Sequence, residues 1–162
     1  LNTNTEDKIY TDAELAGMLH RAGVRPSAQR ISIFSFVANS QRHPAAESIF
    51  TALSEKYPSL SRTTVYNSLH TLVDAGLVRE LEIESGNMRY DLAPQSPHSH
   101  FICRACGRIF DMPMPADVEG FVSAGFATES VDIYFRAYAL NAAVQMAEAA
   151  VIRSIIHQHK IT

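Results

Sequence analysis

The segment from His98 to Asp111, HSHFICRACGRIFD, concentrates the side chains that transition metals bind. It contains two imidazoles, two thiols and a carboxylate around a glycine turn. His98 and His100 are two positions apart in a strand-like run, so their side chains project from the same side of that strand. Together with Asp111 they form a ligand set suited to Mn, Fe(II), Zn, Ni or Co. The alternative is that both histidines are ordinary surface or core residues.

Cys103 and Cys106 are the only cysteines in the chain, and they form a C-x-x-C before Gly107. Two thiolates are half of the tetrahedral set that a structural zinc requires, so histidines or a partner would have to complete the site. The alternative is a reduced thiol pair without metal. A thioredoxin-type redox motif would open a helix, whereas Arg108 and the residues after it predict a strand.

Composition limits the class of protein. The chain has 162 residues, a length that suits one domain or two small ones, and its 46% hydrophobic content is enough for a folded core. No run approaches the roughly 20 apolar residues that span a bilayer, and the N-terminus lacks the features of a secretory signal, so we expect a cytoplasmic protein without a membrane partner. The net charge is −3, and the first 92 residues hold nine Lys and Arg against eleven Asp and Glu, a balance of −2. Net charge alone therefore does not indicate a nucleic-acid binder.

The N-terminal part predicts four helices and a hairpin. A capping box at Thr11–Glu14 starts the first helix, Ser27 caps the second, Pro44 lies in the first turn of the third and Ser61 caps the fourth. Strands at 77–83 and 88–92 follow, which together predict a winged helix-turn-helix. The positions expected to face the core are Leu15, Leu19, Ala22, Ile31, Phe34, Ala38, Ile49, Phe50, Leu53, Tyr57, Val65, Leu69 and Leu72.

In a winged helix the fourth helix is offered to the major groove, with its N-terminal residues nearest the bases. The side of this helix opposite its apolar face carries Arg62, Thr63, Tyr66, Asn67 and His70, while Arg25 and Arg30 lie near the start of the second helix. These side chains are either solvated surface or DNA contacts, and spacing does not decide between the two.

A Pro- and Ser-rich connection at 93–97 separates the predicted DNA-binding domain, 1–92, from a dimerisation and metal-sensing domain, 98–162. The second domain predicts strands at 98–102, 108–112 and 128–140 and helices at 117–124 and 141–160. On the third strand Val131, Ile133 and Phe135 are expected to form a buried face. The fold class is α+β, and because this sheet is small we expect a second copy of the chain to complete its core.

The chain contains the segment HPAAESIFTALSEKYPSLSRTTVYNSLHTLVDAGLV, followed by the wing and by HSHFICRACGRIFD. Together these segments resemble the ferric uptake regulator (Fur) family of bacterial metal-dependent repressors over roughly 21–138. The resemblance implies a homodimer that binds a palindromic double-stranded operator when Fe(II) or Mn(II) occupies a regulatory site. The implied ligands of that site are His43, Asp91, His98, His100 and Asp111. The implied DNA contacts are Arg25, Arg30, Arg62, Tyr66 and Asn67.

Within the family, Asp at 91 and 111 is most like the peroxide-stress regulators, in which peroxide oxidises a ligand histidine corresponding to His43 or His98. The alternative is an iron- or zinc-responsive uptake regulator, which often has Glu in place of Asp111. The family's second C-x-x-C is replaced by Ala139 and Ala142, natural or engineered, so a Zn(II) at the cysteines lacks half its usual ligands.

Two other classes of function were weighed. A metal-trafficking or redox C-x-x-C protein would use the thiols but would have no use for a recognition face or a wing. An enzyme would need a nucleophile, a general base or a phosphate-binding loop beside the metal ligands, and the sequence shows none of these. We therefore expect neither catalysis nor a small-molecule substrate.

Overall fold

The computed structural model describes residues 8–40, 42–84, 86–93, 98–116, 118 and 131–138. The chain divides into two compact units, residues 1–96 and 97–162. This division falls inside the connection predicted at 93–97, and the assignment of a function to each unit stays a prediction. In the described part of the chain no helix is long and apolar enough to cross a membrane.

The first unit begins with two capped helices, as predicted. Helix α1 spans Asp12–Arg21, and its capping box is complete: the Thr11 N–H donates to Glu14 Oε2 at 2.8 Å and the Glu14 N–H donates to Thr11 Oγ1 at 3.3 Å. Helix α2 spans Ala28–Ala38, and the Arg30 N–H donates to Ser27 Oγ at 3.2 Å. These caps satisfy backbone donors that the first turn of a helix leaves unpaired.

Helix α3 spans Ala46–Ser54, two residues later than the sequence predicts. Pro44 precedes the helix instead of lying in its first turn, because His43 has a positive φ of 46° and Ala45 is extended. Helix α4 spans Arg62–Asp74 and is capped by Ser61, as predicted. Gly76 then ends the helix with a φ of 67°, a conformation that glycine adopts without steric cost.

A single apolar core holds the helices of the first unit together. Leu15, Leu19, Ile49, Val65, Leu69, Leu72 and Phe34 are fully buried, as expected. On α2 the prediction was partly wrong: Ile33 and Val37 are buried, while Ile31 and Ala38 are only partly buried. Ile31 and Ala38 still pack against the core, but the most deeply buried apolar side chains of α2 are Ile33, Phe34 and Val37. Each fully buried aliphatic side chain contributes about 1.5–3 kcal/mol.

The wing is a two-stranded antiparallel hairpin, β1 Val78–Glu84 and β2 Asn87–Leu92. Register places Arg79 opposite Asp91 and Glu80 opposite Tyr90. The Tyr90 N–H donates to the Pro44 carbonyl at 3.0 Å, which ties the wing to the segment before α3. Four helices and this hairpin form the predicted winged helix-turn-helix.

The described part of the second unit is a sheet of order β4-β3-β5. Strands β3, His98–Cys103, and β4, Ile109–Pro113, are antiparallel, whereas β5, Tyr134–Ala137, runs parallel to β3. The α+β class is confirmed. The predicted helices at 117–124 and 141–160, and Ala139 and Ala142, lie outside the described residues apart from Val118.

The predicted burial of one face of β5 was wrong within the described chain. Val131 is 37% exposed and Phe135 is 44% exposed, while Ile133 is only partly buried. In the described sheet β5 is an edge strand next to β3. Alternation predicts which side chains share a face, but it does not show whether another layer covers that face.

Candidate metal centre and DNA-contact face

Strands β3 and β4 bring His98, His100 and Asp111 together on one face of the sheet. His98 and His100 lie two positions apart on β3, and Asp111 is the partner of His100 across the antiparallel ladder. Directly paired residues and residues two apart share a sheet face, so the register itself assembles the group. We call these three residues the His–His–Asp triad.

The spacing of the triad fits a single first-row cation. The two Nε2 atoms are 3.2 Å apart, and each lies 3.6 Å from Asp111 Oδ1. With metal–ligand bonds of about 2.1 Å, neighbouring donors are separated by about 3.0 Å in an octahedral site and about 3.4 Å in a tetrahedral one. Two histidines and a carboxylate on one side of a cation, with the opposite positions open, are typical of Fe(II) sites.

The environment of each triad member differs. His100 is 1% exposed, and its ring stacks on Tyr134 of β5 with centroids 5.7 Å apart and an interplanar angle of 21°. His98 meets the His100 ring edge-on, and the Asp111 side chain is 57% exposed. The triad therefore combines a buried imidazole with a solvent-exposed carboxylate.

In the first unit His43 and Asp91 form a second group of candidate ligands. His43 Nε2 lies 3.7 Å from Asp91 Oδ1, and both side chains are largely buried. The hydrogen bond from the Tyr90 N–H to the Pro44 carbonyl holds His43 and Asp91 close together, because Pro44 follows His43 and Tyr90 precedes Asp91 in the chain. The positive φ of His43 is strained for a residue with a Cβ, and such strain clusters at functional sites.

Arg79 is a neighbour of Asp91 that the sequence reading missed. Its Nη2 lies 3.4 Å from Asp91 Oδ2, across the β1–β2 ladder. The guanidinium therefore shares the carboxylate with His43. The predicted hairpin register could have indicated this pair, since it places positions 79 and 91 opposite each other.

The two cysteines differ in exposure. Cys103 is buried at the end of β3, whereas Cys106 is exposed on the turn that Gly107 closes with a φ of 66°. Arg108 Nε donates to Cys106 Sγ at 3.4 Å, and this contact raises the pKa of Arg108. Among the described residues, no cluster of three or more potential metal ligands includes either thiol.

Helix α4 exposes the predicted recognition face: Arg62, Thr63, Tyr66, Asn67 and His70 are all exposed. Tyr66 is 52% exposed, unusual for so large an apolar ring. Arg62, however, is bound to Glu47, a carboxylate that the sequence reading did not single out. On α2, Arg30 Nη1 donates to the Arg25 carbonyl at 2.6 Å, which holds these two candidate contacts side by side.

Tyr90 of β2 is a buried tyrosine opposite Glu80 in the hairpin. It is 4% exposed, and burial together with Glu80 raises its pKa to about 12. The residue is therefore neutral at physiological pH and acts as a packing link between the wing and the core.

Residues 21–135 match the model of the Ferric uptake regulator family. The chain belongs to this family. Two curated Fur-family relatives are similar: the peroxide-responsive repressor PerR of Staphylococcus epidermidis is 39% identical over 102 residues, 63% of this chain and 67% of that protein. The peroxide operon regulator of Bacillus subtilis is 41% identical over 97 residues, 60% of this chain and 66% of that protein. The alignments thus span about two thirds of these relatives.

Solved Fur-family structures share the fold. The ferric uptake regulator of Pseudomonas aeruginosa, solved with manganese, has a TM-score of 0.62 and 26% identity, covering 76% of this chain and 96% of that one. The ferric uptake regulator of Helicobacter pylori has a TM-score of 0.68 and 22% identity, covering 83% and 95%. At this identity the second comparison shows the fold alone.

Proposed function

We propose that this Fur-family chain is a metal-dependent DNA-binding repressor that responds to peroxide. The observation that carries the proposal is the His–His–Asp triad, whose spacing suits Fe(II) or Mn(II). The names of the two curated relatives, a peroxide-responsive repressor and a peroxide operon regulator, support the peroxide branch. A repressor of this kind needs neither catalysis nor a small-molecule substrate, and it acts in the cytoplasm.

In this proposal His43 and Asp91 of the first unit join the triad as ligands of one regulatory cation. A cation that binds only the arrangement in which both units contribute ligands stabilises that arrangement by RT ln(1 + [metal]/Kd), about 2.7 kcal/mol at a hundredfold excess over Kd. This free energy is sufficient to fix the orientation of a DNA-binding domain. Ala139 and Ala142 carry no ligand atoms, so a Zn(II) bound by Cys103 and Cys106 would need other side chains to complete its ligand set.

DNA recognition would follow from dimerisation. Two α4 helices held at a fixed separation can enter successive major grooves of a palindromic operator, about 34 Å apart. Arg25, Arg30 and Thr63 would contact phosphates and set the position of the protein, while Tyr66, Asn67 and Arg62 would contact base edges. The phenol ring of Tyr66 could pack against a thymine methyl group.

The peroxide response is proposed to be an oxygen insertion at a ligand histidine, His43 or His98. Bound Fe(II) supplies the redox chemistry that activates hydrogen peroxide. In the net reaction an imidazole C–H becomes C–OH, and the peroxide is reduced to water. The modified ring is a poorer ligand, so the regulatory cation and the repressing conformation are lost.

Mass spectrometry tests this response. After treatment with hydrogen peroxide, Fe(II)-loaded protein should gain one oxygen on a peptide that holds His43 or His98, whereas Mn(II)-loaded protein should not. Failure of the Fe(II)-loaded protein to gain oxygen would favour an iron- or zinc-responsive uptake regulator. Uptake of metal with no DNA binding in any metal state would instead favour a metal-trafficking or redox protein.

A substitution on α4 tests the predicted recognition face. Tyr66→Ala should weaken binding to a duplex selected with the Mn(II)-loaded protein while leaving Mn(II) affinity unchanged, because Tyr66 lies outside the metal ligands. Unchanged duplex binding would refute the assignment of this helix to recognition.

A further inference from the structure

The Arg62 guanidinium is held on two sides by residues of α3. Its Nε lies 3.1 and 3.0 Å from the two carboxylate oxygens of Glu47, and its Nη2 lies 2.6 Å from Oε1. Phe50, one helical turn after Glu47, places its ring 4.3 Å from the Arg62 Cζ. The first residue of the recognition helix is therefore occupied by an intramolecular partner.

The Glu47 carboxylate occupies one of the paired-donor edges with which an arginine binds DNA, the edge formed by Nε and Nη2. Arginine uses parallel N–H donors for a phosphate and for the O6 and N7 atoms of guanine, and a carboxylate accepts from the same donors. The contact lowers the pKa of Glu47 and raises the pKa of Arg62, so both groups are ionised at neutral pH. Glu47 thus competes directly with DNA for Arg62.

The Glu47–Arg62 ion pair is exposed enough for another acceptor to replace the carboxylate. The side chains of Arg62 and Glu47 are 61% and 55% exposed, and exposed ion pairs hold their partners weakly. A site that presents a well-placed acceptor can therefore take Arg62 from Glu47. An arbitrary duplex offers Arg62 phosphate oxygens but no matched base edge, so it gains less from the same exchange.

We propose that Glu47 is an intramolecular competitor that withholds Arg62 from DNA and so lowers the affinity of α4 for duplex DNA. The proposal rests on DNA binding as the proposed function. It assigns Glu47 no contact with the metal and no contact with DNA. Its effect is to lower affinity for any duplex that takes Arg62, because that duplex must displace the carboxylate. The selected site, which makes fuller use of Arg62, loses at least as much affinity as an arbitrary sequence.

Glu47→Gln tests this by removing the charge while keeping the side-chain size. Fluorescence anisotropy with Mn(II)-loaded protein and a labelled duplex of arbitrary sequence should show tighter binding, about five- to tenfold near 0.1 M salt. The slope of log affinity against log salt should steepen by about 0.9, the value for one additional phosphate contact. Affinity for a selected duplex should rise at least as much, because that duplex no longer has to displace the Glu47 carboxylate.

Two controls separate the effect of Arg62 from general charge. Glu55→Gln removes another exposed carboxylate, at the C-cap of α3, and should change the slope less. In an Arg62→Gln background, Glu47→Gln should have no further effect. A gain that persists in that background, or a loss of affinity accompanied by a lower melting temperature, would overturn the proposal. Absence of duplex binding by the wild-type protein would overturn the proposed function together with it.

Discussion

Asp111→Asn should remove most of the stabilisation that metal gives the protein. Asp111 supplies the only carboxylate of the triad, 3.6 Å from both Nε2 atoms, yet its side chain is 57% exposed. Asn has the same shape without the charge, so the stability of the metal-free protein should change by less than about 0.5 kcal/mol. The substitution therefore tests the ligand role without disturbing the fold.

The magnitude follows from linkage. At a Mn(II) concentration a hundredfold above Kd, the wild-type protein gains about 2.7 kcal/mol, which corresponds to about 5–11 °C in melting temperature for a chain of this size. Removing a residue that hydrogen-bonds to a metal ligand typically lowers metal affinity about 10- to 100-fold. Removing a charged ligand itself should therefore lower metal affinity at least about 100-fold. The same Mn(II) concentration would then give about 0.4 kcal/mol, or about 1–2 °C.

Differential scanning fluorimetry with and without Mn(II) measures this shift. The matched control is Asp74→Asn, another exposed carboxylate beside a histidine, with Asp74 Oδ2 3.1 Å from His70 Nδ1. Asp74 lies outside the triad, so this variant should keep the wild-type shift. If Asp111→Asn also kept the full shift, Asp111 would not be a ligand and the assignment of the triad would be refuted.

Three further predictions concern stability. Leu69→Ala truncates a fully buried side chain and should lower the free energy of unfolding in urea by about 2–5 kcal/mol; a loss below about 1 kcal/mol would contradict the burial. Ser61→Ala removes the acceptor of the Thr64 N–H, 3.0 Å away, and should cost about 1 kcal/mol in thermal unfolding, an effect that Ser61→Asp should largely avoid. Because burial and Glu80 raise the pKa of Tyr90 from 10.0 to about 12, its stabilising contribution should be complete below pH 10 and decline as pH rises towards 12. Tyr90→Phe should remove that decline and the latest step in an ultraviolet titration of tyrosine ionisation.

Local signals predicted the first unit well because its elements begin and end at residues with one clear role. Thr11, Ser27 and Ser61 cap helices in the structure as they were predicted to, and Gly76 ends α4. The start of α3 was misplaced because Pro44 is compatible with a helical first turn but also with the extended entry that the positive φ of His43 requires. Spacing contains no information about that choice.

The triad was predictable because it depends on strand alternation and on a short antiparallel connection. His98 and His100 share a side of β3 by alternation alone, and the turn at 104–107 sets the register that brings Asp111 beside His100. Asp91 and His43 were named only through family resemblance, since their proximity depends on the bond between Tyr90 and Pro44. Such a contact between distant segments leaves no periodic signal.

The partners of the charged residues could not be predicted. Glu47 and Arg62 are 15 positions apart on different helices, so their pairing depends on how α3 packs against α4. The sequence offered Arg62 only as solvated surface or a DNA contact, and the structure adds a third state in which an internal carboxylate holds it. Long-range packing, which decides such pairs, is the part of the fold that local patterns do not encode.

The proposed control of DNA binding depends on one cation with ligands from both units. It is tested most directly by Mn(II) titrations of a selected operator duplex, followed by anisotropy, for the wild-type protein and for Asp91→Asn and Asp111→Asn. Wild-type protein should bind the duplex only as Mn(II) is added, and each variant should require at least about 100-fold more Mn(II). Wild-type metal dependence in the Asp91→Asn variant would contradict a site shared between the two units.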